Sequence, residues 1–113
     1  MKTDNETWLI NEGDRIIVKK SSEGFDFLSS LDKAIYHLWV IDYAVRNSGT
    51  LAPMRELNED SISQLSSFAK NNGCDHIYAM MELAKDEKDF CNNYYRNFDN
   101  ACKDLRYFDK NRK

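Results

Sequence analysis

Apolar residues return every three or four positions through most of this chain, and that spacing predicts helices. The densest run is Leu31, Ala34, Ile35, Leu38, Trp39, Ile41, Ala44 and Val45. These side chains cover most of a helix circumference, so the helix is expected at the centre of the fold. Ser29 or Ser30 can accept hydrogen bonds from its first amides, and Asp32 sits in the first turn, where the helix dipole favours a carboxylate. Asn47-Ser48-Gly49 supplies the stop, with Gly49 suited to a left-handed residue after the last turn.

A second stripe, Phe90, Tyr94, Phe98, Ala101, Leu105 and Phe108, predicts a long last helix over 90–108 of about five turns, flanked by Cys91, Tyr95 and Cys102. Between the two, Asp60 or Ser61 begins a short helix with Ile62, Leu65, Phe68 and Ala69 on one face, closed by Asn71-Asn72-Gly73. Asp75 can cap the next helix, whose apolar face is Ile77, Tyr78, Met80, Met81 and Ala84. Thr50 to Asn58 holds the single proline, Pro53, and reads as a structured loop.

Thr7 to Lys20 leaves two readings open. Trp8, Leu9, Ile10, Ile16 and Ile17 fit one helix face, whereas Arg15-Ile16-Ile17-Val18 is β-branched enough for a short strand. Ser21-Ser22-Glu23-Gly24 reads as a loop. The expected fold is all-α, an irregular bundle of four to five helices with a long C-terminal helix, in one domain spanning residues 1–113.

Composition supports this. With 42% hydrophobic residues in 113 and only one proline and four glycines, the chain has enough material for a core and few helix breakers. No run approaches the length of about 18 apolar residues that spans a bilayer. The start, Met1-Lys2-Thr3-Asp4-Asn5-Glu6-Thr7, lacks a signal-peptide pattern, so a cytoplasmic protein is expected. Cys74, Cys91 and Cys102 are odd in number and lack C-x-x-C spacing, which fits reduced thiols.

Charge is uneven. Residues 23–89 carry twelve carboxylates against six Lys and Arg, whereas residues 96–113 carry six basic residues against three acids. On charge alone this reads first as an ordinary solvated surface; as a functional feature, an acidic body with a basic tail favours a basic protein partner over direct contact with nucleic acid.

Each cluster of reactive residues has a structural reading. In Cys74-Asp75-His76, neighbours on a helix point about 100° apart, so adjacency does not pair thiol and imidazole. Zinc needs about four ligands at short spacings, and His37, His76 and the three cysteines do not offer them. Cys91 and Cys102 fall on one face of the last helix but about 16 Å apart, too far for a disulfide. Asp42, inside the most apolar helix, needs a partner, and Arg46 one turn later is the candidate. Tyr94, Tyr95, Phe98 and Arg106 could form an RNA-stacking face, but the aromatics coincide with the core stripe. No cofactor, metal or catalytic residue is expected. Glu56, Glu59 and Asp60 before one helix, and Glu82, Asp86, Glu87 and Asp89 at the corner before the last, form an acidic patch if the two corners meet; acids at helix starts also read equally as capping chemistry.

From about Ser29 to Leu83 the chain resembles the DNA-mimic-protein-nineteen-like family of small acidic helical bacterial proteins. The likeness rests on Leu31-Asp32-Lys33-Ala34-Ile35-Tyr36-His37-Leu38-Trp39-Val40-Ile41-Asp42-Tyr43-Ala44-Val45, followed by Arg46-Asn47-Ser48-Gly49. In that family a similar helix ends in an Asn-Gly-Gly-aromatic turn; here Ser48 and Thr50 stand at the first glycine and the aromatic. The resemblance implies an all-helical fold without an active site, acting by occupying a basic surface on a protein. In size and charge the chain also resembles bacterial immunity proteins, which neutralise toxin domains in contact-dependent or secreted competition. The expected function is therefore an inhibitor or immunity protein against a basic toxin domain such as a nuclease, bound through Glu56, Glu59, Asp60, Glu82, Asp86, Glu87 and Asp89. The alternative is a DNA-mimic regulator that blocks a DNA-binding protein.

Overall fold

The run from Leu31 to Val45 forms a buried helix in a computed structural model that describes residues 4–111. Met1–Thr3 of the polar start, and Arg112 and Lys113 of the basic tail, lie outside the described residues. In chain order the helices are α1 (Asn5–Glu23), α2 (Ser30–Ser48), α3 (Ala52–Asn58), α4 (Ser61–Asn72), α5 (Asp75–Glu82), α6 (Glu87–Asn92) and α7 (Tyr94–Asn111). Single 3-10 turns at Phe25–Phe27 and Leu83–Lys85 join them, and the described residues contain no strand. The fold is all-α. Among the described residues it has seven helices rather than four to five, because one expected loop is a helix, one expected helix is two, and residues 7–20 are helical.

Helix α2 is the axis, packed on by α1, α3, α4 and α7. Its start and stop are those the sequence announces. The Ser29 hydroxyl accepts from the Asp32 amide at 3.1 Å, and Gly49 takes a left-handed φ of 71° while its amide closes on the Val45 carbonyl. Gly73 ends α4 the same way.

The open choice over Thr7–Lys20 resolves to helix, and the helix runs on through the expected loop at Ser21–Glu23. Asp4 caps it by accepting from the Thr7 amide at 2.8 Å. Leu9, Gly13 and Ile16 face the core, whereas Ile10 is 44% exposed. Gly13 matters through what it lacks. A Cβ there would lie 2.3 Å from Cδ1 of Trp39, so the bare backbone is the seat on which α2 approaches α1.

Thr50–Asn58 is not a loop, because Pro53 falls in the first turn of α3. A missing N–H costs nothing there, and the fixed φ of proline suits a helix start. The long last helix is interrupted at Asn93, whose side chain bonds back to the carbonyl and carboxylate of Asp89. The apolar stripe passes through the break. Phe90 on α6 and Tyr94 on α7 are both fully buried, with ring centroids 5.9 Å apart. Cys91 and Cys102 therefore sit on different helices.

The start of α5 also differs from expectation. Asp75 is its first residue, and Cys74 holds the cap position without a side-chain bond. The cap comes from α7: the Asp104 carboxylate accepts from the His76 amide at 2.9 Å and the Ile77 amide at 3.1 Å, and meets His76 Nδ1 at 3.0 Å.

Candidate functional site

The buried polar groups come first, because a carboxylate or imidazole in a core is either structural or chemical. Asp42 is 5% exposed and is paired as the sequence suggests, with Arg46 Nε at 2.8 and 3.0 Å from its two oxygens. A third member was not legible: the Tyr94 hydroxyl of α7 donates to Asp42 at 2.5 Å. Burial pushes the Asp42 pKa up, while Tyr94 and Arg46 pull it down. The Arg46 guanidinium also lies 4.8 Å from the Phe98 ring centroid and 5.0 Å from that of Tyr95, and 3.6 Å from Glu6. The network thus ties α1, α2 and α7. Asp32 makes a similar link, accepting from Arg15 of α1 at 2.8 Å.

Cys74 and His76 do not form a pair. Cys74 is buried and its thiol is pushed up to about 11, first by burial and then by Asp104 and Asp75, while the exposed His76 bonds Asp104. Burial likewise raises Cys91 and Cys102, which keeps these thiols protonated and poor nucleophiles at neutral pH. Among the described residues no group of three or more His, Cys, Asp or Glu is placed to hold a metal ion. Nor is any helix there long and apolar enough to cross a membrane.

The acidic residues of the two corners fall into different situations. Glu87, at the start of α6, reaches across to α3, where it pairs with Arg55 and accepts from the Leu51 amide at 3.1 Å. Arg55 is the main reason its pKa is lowered, followed by that amide. Asp86 caps α6 by accepting from the Asp89 amide, Asp89 accepts from Asn93, and Glu82 pairs with Lys85. These acids are occupied locally. Glu56, Glu59 and Asp60, at the α3–α4 corner, are exposed and have no ion-pair partner among the described residues. The corners are therefore linked through Glu87 and Arg55, but their free carboxylates belong to one of them.

Leu57 was not singled out from the sequence. It follows Leu51 and Met54 at spacings of three and so looks like core, yet it is 49% exposed while the other two are buried. The helix ends one residue later, before anything covers that face. Tyr43 and Tyr95 are also exposed, at 45% and 55%. Beside the α3–α4 corner, between α2 and α4, lies a cleft of about 420 Å³ with a mixed polar and apolar lining, reaching from Phe25 and Lys33 to His37, Asp60 and Gln64.

The fold and these surfaces define an all-helical protein whose buried charges hold helix to helix. Among family models, curated proteins and solved structures, none matches the chain.

Proposed function

We propose that this protein is an inhibitor of the immunity type, which binds and neutralises a basic toxin domain, a nuclease being the expected kind. One observation carries the reading: at the α3–α4 corner an exposed Leu57 lies among three unpaired carboxylates, Glu56, Glu59 and Asp60. An apolar anchor in a charged surround is the composition of an interface centre and rim. Unpaired carboxylates also steer a basic partner and speed its association. The acids of the α5–α6 corner support this surface indirectly, since Glu87 removes the positive charge of Arg55 that would otherwise oppose it.

The DNA-mimic alternative draws less support. Mimicry calls for carboxylates repeating along an exposed face; other exposed carboxylates without an ion-pair partner among the described residues, including Asp14, Glu23, Asp26 and Asp75, are spread over α1, the turn after it and the start of α5.

The test is co-expression with the toxin encoded beside its gene. Rescue of growth and co-elution of a one-to-one complex are expected; absence of both removes the reading. Given a complex, the E56K/E59K double variant should associate about tenfold more slowly at low ionic strength, with the difference shrinking as salt screens it. Unchanged kinetics would move the interface elsewhere.

A further inference from the structure

His37 is only 4% exposed, yet it lines the cleft between α2 and α4. Its Nδ1 lies 3.0 Å from the hydroxyl oxygen of Ser61, which is fully buried. That hydroxyl has no other partner among the described residues, so its hydrogen must go to Nδ1. The opposite tautomer would leave a buried O–H donor unsatisfied. Nδ1 is therefore the acceptor, and Nε2 carries the ring hydrogen. Nε2 has no hydrogen-bond partner among the described residues, where no enclosed side-chain nitrogen or oxygen lacks one, so it keeps some exposure and, with His37 lining the cleft, is the donor that a ligand there could meet.

Two charges flank this donor. Lys33 precedes His37 by one turn of α2, and Asp60 immediately precedes Ser61. Both line the cleft, and both bear on His37 electrostatically. Neither has an ion-pair partner among the described residues, whereas Arg15, Arg46 and Arg55 are each bonded to a carboxylate. The Lys33 ammonium rests instead over the Phe25 ring, 5.3 Å from its centroid. The cleft lining thus includes a cation, a neutral imidazole and a carboxylate. Phe25 and Phe68 supply apolar walls, and Gln64 and Asn71 supply amides. Its volume of about 420 Å³ suits a small molecule.

We propose that this cleft binds a small zwitterion of the α-amino-acid class, with its carboxylate taken by Lys33 and His37 Nε2–H and its ammonium by Asp60. Each charged end meets an unpaired group of opposite sign, and the buried imidazole gains the acceptor it lacks. A monovalent acid or amine satisfies only half of the site. Asp60 is common to this site and the proposed toxin surface, whereas Lys33 and His37 have no part in the toxin reading, so K33A separates the two.

The test is NMR on the full chain, following the His37 imidazole nitrogens during titration with the standard amino acids. Acetate and ethylammonium serve as single-charge controls. At least one amino acid should shift Nε2 saturably, with a Kd of about 1 mM or tighter. K33A and D60N alter surface side chains and should each weaken that binding by about tenfold while leaving the helical spectrum intact. E56K/E59K should bind the amino acid normally even if toxin binding is lost, so the two proposals can fail separately. Three results would overturn this one: no saturable shift up to about 10 mM, acetate binding as tightly as any amino acid, or unchanged affinity in both K33A and D60N.

Discussion

At the scale of single residues, Gly13 and His37 show how one position can govern a wider property. The Trp39 indole lies where a Cβ on Gly13 would be, and Trp39 in turn stacks on Tyr36 and Tyr43 along α2. Gly13→Ala adds a methyl group against the Trp39 indole, including Cγ at 2.8 Å, so it should destabilise the protein by about 1–3 kcal/mol despite the better helix propensity of alanine. A urea unfolding midpoint no lower than that of the wild type would show that α1 can move away at no cost. His37 acts through protons. Burial is the main cause that lowers its pKa to about 4; Asp60 opposes the shift and Lys33 adds to it. The unfolded chain therefore binds a proton below the ordinary histidine value of about 6.5 that the folded chain refuses. This contribution is complete above that value and is lost as pH falls towards 4, amounting to up to about 3 kcal/mol. Stability measured against pH should fall across that window in the wild type, and His37→Gln should flatten the His37 part of the slope.

Elements were legible in the sequence in proportion to how local their causes are. The bounds of α2 and the stops at Gly49 and Gly73 follow from neighbours within a turn, and they stand where the pattern places them. The interruption at Asn93 leaves the four-residue spacing from Phe90 to Tyr94 intact, so periodicity carries no trace of it. Pro53 signals both loop and first turn, and only the helical continuation after it decides between them. The cap of α5 lies beyond local reading altogether, since Asp104 is 28 residues from His76 in the chain. Asp104→Ala should cost about 1–2 kcal/mol, as loss of a helix cap does. It should also speed amide exchange at His76 and Ile77 before the rest of α5. Slower or unchanged exchange there would mean that solvent caps the helix equally well.

For the whole molecule, the two corners of carboxylates were legible as composition, but their division of labour was not. Which acids are free depends on contacts such as Glu87 with Arg55, made between elements 32 residues apart. The same holds for the Tyr94 hydroxyl on Asp42, 52 residues away, which turns a local Asp42–Arg46 pair into a link between α2 and α7. The outcome is a bundle whose internal charges are largely paired and in which three unpaired acids, Glu56, Glu59 and Asp60, stand beside Leu57. Deuterium exchange of the protein alone and in complex with the co-expressed toxin tests this surface most directly. The amides of residues 55–61 should become protected in the complex, with little change along the exposed side of α1. Protection confined to α1 or α7, with the α3–α4 corner unaffected, would contradict the assignment.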